Sequence, residues 1–427
     1  MVVRFLLSVA LVVGAAFLVQ AAGGDEISVT SSDWAWWRGP TRNGIAHADQ
    51  SPPLHWGEEQ NILWKSPVPG RGHSSPTVVG DRVFLGVADE QQEIQSVICF
   101  DRETGEQMWK TDIHRGGFAP TTGRPGHPRS SKASTTVASD GNRIFINFFN
   151  HDAVFITALS LDGEQLWQQK VTDYVVHQGY GTSPAVYGPL VIVVADNKGG
   201  GALTGYDRVT GQVAWTVKRP ALPNYTSPMI LNIDGRDQVI LTGQDTISSY
   251  EPLTGNANWE VKGATAECVT SVVSDGTYVV TSGGYPSKHI SVVRGDASGE
   301  VVWRNDVQVY VPSMLVYEGH IYGVTDTGDA FCYDMQSSTP LWEHRLGGHF
   351  SASPVLVGGN IYATGESGTT YIFKASPAAF ELIAENTIVA DDVQATAAIC
   401  GSRIYMHVSQ KRDGQYQEML YCIAEGK

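Results

Sequence analysis

The sequence predicts an all-β protein: an eight-bladed β-propeller of four-stranded antiparallel blades, closed by an N-terminal strand that completes the last blade. Three observations predict it. A strand–turn–strand sentence ending in tryptophan recurs along the chain, a β-hairpin recurs upstream of each copy, and the two ends are each incomplete in complementary ways.

The recurring sentence reads "CFDRETGEQMW" at 99–109, "GYDRVTGQVAW" at 205–215, "SYEPLTGNANW" at 249–259 and "VRGDASGEVVW" at 293–303. Looser copies end at Trp167 and Trp342. In each, the Asp or Glu accepts hydrogen bonds from turn amides, Thr or Ser supports the turn, and Gly takes the positive φ that other residues resist. The tryptophan then falls on the outer strand, placed to dock against a neighbour.

The upstream hairpin reads "SSPTVVGDRVFLGV" at 74–87, "TSPAVYGPLVIVV" at 182–194 and "ASPVLVGGNIYAT" at 352–364, two β-rich runs about a short polar turn. Together the two pieces make four strands per unit, and the tryptophans from Trp109 to Trp342 recur every ~39 to 58 residues, a spacing that marks a propeller. No segment sustains the helical period that a βαβ fold requires.

A seventh unit carries Ala384 where the others have Trp. The eighth starts at "ATAAICGSRIYMHV" and stops at "LYCIAEGK" after three strands, whereas "NILWKSPV" near the start is a Trp-bearing strand with no unit before it. Pairing the orphan strand, Ile62 to Val68, into the vacancy closes the ring and removes two exposed sheet edges.

Residues 1–21 read as a secretory signal peptide, with Arg4 ahead of an apolar run from Phe5 to Val19 and small residues at Ala21 and Ala22. The run is shorter than the ~20 residues of a spanning helix. Residues 22–61 form a Trp-rich arm and 62–427 the propeller. The expectation is an exported monomer, periplasmic or secreted, with no transmembrane segment and no lipid-bearing cysteine. A net charge of −15 argues against binding nucleic acid through its phosphates.

The D-x-x-T-G-x-x-x-W turn resembles the PQQ-type propeller repeat over roughly residues 62–424. The resemblance implies one of two branches. Quinoprotein dehydrogenases hold pyrroloquinoline quinone and calcium on the channel axis, over a Trp floor and in several members beside a disulfide of adjacent cysteines. BamB-like assembly proteins keep the fold, lack the cofactor and bind protein partners. The eleven tryptophans divide into seven docking positions (Trp64, Trp109, Trp167, Trp215, Trp259, Trp303, Trp342) and four in the arm (Trp34, Trp36, Trp37, Trp56), leaving none for a floor, and no two cysteines are adjacent. The expectation is therefore a non-enzymatic scaffold binding a protein or polysaccharide of the cell envelope, with no cofactor, no metal and no assignable catalytic residue. A quinoprotein oxidoreductase using this quinone with calcium is the alternative.

Candidate binding residues cluster before the innermost strands, where they ring the channel mouth: Arg71 and His73, His177 and Tyr180, Asn224 and Tyr225, Glu267 and Cys268, Tyr310, and His349. Polar groups there also serve simply to satisfy loop amides. The stretch 114–132 gathers Arg115, Arg124, Arg129 and Lys132, as either a basic flap for an anion or a Gly/Pro-rich loop. Asp89, Asp196, Asp245, Asp326 and Glu366 close second strands, where turn chemistry competes with a metal ring. Cys99, Cys332 and Cys422 share one small core position that Ala158 and Ser249 fill in other blades.

Overall fold

The computed structural model describes residues 25–118 and 130–426. The proposed signal peptide and the centre of the basic loop, with Arg124 and Arg129, lie outside the described residues. Among the described residues the regular structure is all β, in eight sheets of four strands each.

Seven blades are sequential meanders: 77–115, 138–173, 185–219, 229–262, 273–305, 315–345 and 355–387. The eighth takes Ala398–Cys400, Arg403–Arg412 and Gln415–Ile423 from the C-terminus and Ile62–Val68 from the N-terminus. Ile62–Val68 pairs antiparallel with Gln415–Ile423, in a register that sets Trp64 against Cys422 and Val68 against Glu418. The ring closes as the two incomplete ends require, so no blade is left with an unpaired third strand.

The docking tryptophans explain the repeat. Trp64, Trp109, Trp167, Trp215, Trp303 and Trp342 each donate the indole N–H to a backbone carbonyl in the turn of the next blade, at 2.8–3.3 Å. The turn glycine lies beneath the preceding blade's ring. A Cβ on Gly105, Gly163, Gly211 or Gly255 would stand 2.5–2.7 Å from Trp64, Trp109, Trp167 or Trp215 respectively. Each of these glycines also has a positive φ, so two independent constraints meet at one residue. Trp259 departs from the pattern, donating to Gln238 Oε1 in its own blade. On the third strand the residue opposite the docking Trp is Cys99, Ala158, Ser249, Cys332 or Cys422 in five blades, the shared small site expected from the sequence, with Gly205 opposite Trp215 and the larger Val292 opposite Trp303.

Because consecutive strands are antiparallel, blade-to-blade connections and second-to-third-strand turns share one face, and the hairpin and D-x-x-T-G turns share the other. The arm closes the turn face. It pairs Trp34 with Val78 in blade 1, Ala35 with Ser139 in blade 2, and Ile45 and Ala46 with Leu356 in blade 7. Between these, Arg42 reaches the Val186 carbonyl in blade 3 and Asn43 brackets Ser274 in blade 5. Arg38, 1% exposed, donates to the carbonyls of Met314 and Pro354 in blades 6 and 7. The Trp-rich arm therefore both straps the blades together and plugs the ring on this face.

Candidate functional site: a blind channel with a hydroxyl belt

Each innermost strand is preceded by a serine or threonine, the "SP", "TT" and "TA" positions of the hairpin motif, and these residues meet around the axis. Ser75 N–H donates to Thr136 Oγ1, Thr136 to Ser183 Oγ and Ser183 to Ser227 Oγ, at 3.2, 2.9 and 2.9 Å. Ser271 donates to Ser313, Ser313 to Ser353, Ser353 to Thr396 and Thr396 back to Ser75, each at 2.9 Å. The belt ties blade to blade through the backbone. The remaining junction, from Ser227 to Ser271, is where the arm enters: Ser271 Oγ receives Trp37 Nε1 at 2.7 Å.

Above this level is a cavity of about 190 Å³, lined by Trp37, by the belt, by His73, Tyr180, Tyr225 and Tyr310, and by Gln178 and Gln394. The expectation that no tryptophan is left for the channel is therefore corrected, since the arm itself carries Trp37 there. The arm is not a repeat, so no periodicity in the sequence locates its residues against the blades. Among the described residues, none that lines the cavity is Asp, Glu, Lys or Arg.

Of the ten candidate residues, His73, Tyr180, Tyr225 and Tyr310 line the cavity. Glu267 lies at the rim beside His177, with Nε2 to Oε1 at 3.3 Å, and burial raises its carboxyl above the usual range. Arg71 faces outward, paired with Glu418 at 3.3 Å and stacked over Tyr416. Asn224 and Cys268 turn into the protein. Asn224 Nδ2 donates to the Thr242 carbonyl at 2.7 Å and its Oδ1 accepts from the Cys268 amide at 3.1 Å. The Cys268 thiol is fully buried and pushed up to about 11 by that burial. His349 is exposed on the same face.

Burial also raises the Tyr225 and Tyr310 phenols, the latter to about 12, so both stay neutral donors at physiological pH. Tyr225 Oη is shielded from solvent beside the Gln178 backbone, and among the described residues no protein acceptor takes its proton. The carboxylates that close second strands perform turn and packing work. Asp89 accepts the amides of Gln91 and Gln92, Asp326 those of Tyr310 and Val311, and Asp196 forms a buried pair with Arg219.

A family model described as outer membrane protein assembly factor BamB matches residues 93–285 and 288–379. The chain belongs to this family. A curated relative, the assembly factor BamB of Burkholderia pseudomallei, is 25% identical over 364 residues, covering 71% of this chain and 85% of its own. The crystal structure of BamB from Moraxella catarrhalis superposes with a TM-score of 0.59 at 14% identity, over 86% of this chain and 97% of that one. A europium-containing methanol dehydrogenase superposes at 0.65 and 12% identity, over 92% and 98% of the two chains. The quinohemoprotein alcohol dehydrogenase of Comamonas testosteroni gives 0.62 and 12%, over 93% and 81%. At these identities the solved structures establish the shared fold alone.

The residues present do not fit the dehydrogenase cofactor. Calcium takes six to eight oxygens with carboxylates among them. Among the described residues the lining holds no carboxylate, and there is no cluster of three His, Cys, Asp or Glu suited to a metal. A carboxylated quinone would also meet no Lys or Arg among the described residues of the cavity. Trp37 is the one feature of the lining that matches a quinone floor.

Proposed function

We propose that this protein is an exported, envelope-associated scaffold, monomeric and non-enzymatic, that binds a protein component of an outer-membrane assembly machinery through its loop-bearing face. The observation that carries this reading is the neutral character of the site. Among the described residues no Asp, Glu, Lys or Arg lines the cavity, and the tyrosines and the cysteine nearest it are held in their protonated forms, so no carboxylate base, phenolate or thiolate is poised there and His73 is the one imidazole in the lining. Family membership supplies the partner class.

The rim of that face offers Glu267 with His177, the exposed ring of Tyr285 and the Arg71–Tyr416 stack, a mixture of polar and aromatic groups suited to a protein surface. Affinity purification from native envelopes followed by mass spectrometry tests the reading. Wild-type protein recovers an outer-membrane assembly component, and Glu267→Ala combined with Tyr285→Ala recovers several-fold less at unchanged melting temperature. Equal recovery by the double variant overturns the surface assignment.

A quinone-dependent oxidoreductase is the second reading, favoured by Trp37 alone. It requires that pyrroloquinoline quinone with calcium raise the melting temperature, since a ligand at 100 times its Kd adds ~2.7 kcal/mol. The scaffold reading expects no shift.

A further inference from the structure

We infer that the blind channel is a binding site for a small, uncharged, polyhydroxylated ligand, a single neutral sugar ring, held without chemical change. The inference goes beyond the partner-binding reading, which uses the outer rim, and stands independently of it.

Charge narrows the ligand first. Among the described residues that line the cavity, a phosphate or carboxylate finds no Lys or Arg, and an ammonium finds no Asp or Glu. The net charge of −15 further disfavours anions. A peptide terminus carries one of these charges, and an internal peptide segment would have to pass through a channel that the arm closes on the turn face. An uncharged molecule meets neither obstacle.

The hydrogen-bonding capacity is that of a polyol site. In the belt every hydroxyl oxygen except that of Ser271, which receives Trp37, accepts a backbone N–H from its neighbour, which fixes the side chain and leaves its own O–H proton to donate. Among the described residues, the hydroxyls of Ser75, Ser183, Ser227 and Ser353 donate to no protein acceptor. Each also keeps a lone pair free, so one group can both give and take a hydrogen bond, as sugar hydroxyls require. Tyr225 Oη adds a shielded phenol whose proton no acceptor among the described residues takes, the kind of donor that folded proteins seldom leave unsatisfied.

Shape completes the match. Trp37, anchored through Ser271, supplies an apolar aromatic surface at the belt, and Tyr180 and Tyr310 supply others, so C–H faces and O–H edges of a sugar ring both find complements. The volume of about 190 Å³ lies below the roughly 300–1,000 Å³ of sites that enclose drug-sized ligands, and suits one ring rather than a chain.

Saturation-transfer NMR on the intact exported chain tests this, using free glucose, galactose, mannose and N-acetylglucosamine at millimolar concentration, with trialanine as the peptide control. At least one sugar receives saturation from the protein. Trp37→Ala and Tyr225→Phe each weaken its Kd by about tenfold. Tyr225→Phe retains the wild-type melting temperature, so its loss of binding reports the site and not the fold. The inference is overturned if none of the four sugars receives saturation from folded wild-type protein, if both variants bind sugar as wild type does, or if trialanine alone receives it.

Discussion

Trp37 Nε1 donates to Ser271 Oγ at 2.7 Å, joining the N-terminal arm to the innermost position of blade 5 across 234 residues of chain. The bond places an arm residue inside the one belt that all eight blades share. Through it, the segment that caps the turn face also forms the floor of the cavity that opens on the other.

The arm is pinned by Arg38, whose guanidinium is buried against carbonyls with no carboxylate partner and whose pKa burial lowers to about 9. Removing it strands the Met314 and Pro354 carbonyls. Arg38→Ala should destabilise the protein by roughly 2–4 kcal/mol. It should also open the arm to trypsin at Arg42, a cut absent from native wild type and read by mass spectrometry of a timed digest.

Gly105 and Gly299 occupy equivalent turns with φ of 73° and 75°. A Cβ on Gly105 would meet the Trp64 ring at 2.5 Å, whereas on Gly299 the nearest atom is Val261 Cγ1 at 3.4 Å. Both alanine variants carry the same backbone strain, but only the first carries the clash. Gly105→Ala should therefore be less stable than Gly299→Ala by about 1–3 kcal/mol in urea titration, and equal losses would remove the inter-blade role of the ring.

All five cysteines are free and buried. Cys400 and Cys422 lie on the first and third strands of blade 8 with a whole strand between them, beyond the ~7 Å reach of a disulfide. Burial pushes Cys268 and Cys332 up to about 11 and Cys99, Cys400 and Cys422 up to about 12. Ellman's reagent at pH 8 should find no reactive thiol in native protein and five after denaturation without reductant. A linked Cys400–Cys422 peptide would contradict the strand order.

His289 is fully buried, and burial, with Arg304 adding to it and the Ser287 backbone only partly opposing it, lowers its pKa from 6.5 to about 4. A depressed folded-state pKa means that the unfolded chain binds the proton first. The stability His289 contributes is complete above the unfolded value and is lost as pH falls towards about 4. The melting temperature should drop across that window, and His289→Phe should reduce the drop. His114, lowered to about 4 by burial, accounts for part of what persists.

The blades were legible in the sequence because their determinants are local and repeated. The turn, its glycine and the docking tryptophan lie within eleven residues of one another, and Ile62–Val68 was found as the piece the eighth unit lacked. The belt was present as the Ser or Thr before each first strand, but no single copy reveals that these hydroxyls meet. That becomes visible only when eight blades are placed around an axis. Trp37 was assigned to the arm and not to the channel it lines, because an unrepeated segment carries no period to set its depth. Tyr180, Tyr225, Tyr310 and His73 were found through their place before innermost strands. The same rule also drew in Asn224 and Cys268, which turn away to hold each other's loops.

The account rests on the loop-bearing face as the working surface, and site-specific photo-crosslinking in the native envelope measures that most directly. A photoreactive residue at Tyr285 or Tyr416 should give an adduct that mass spectrometry identifies as an outer-membrane assembly component, while the same residue at Val209 or Leu253 on the turn face gives none. Adducts to that component from Val209 or Leu253, with none from Tyr285 or Tyr416, would contradict it.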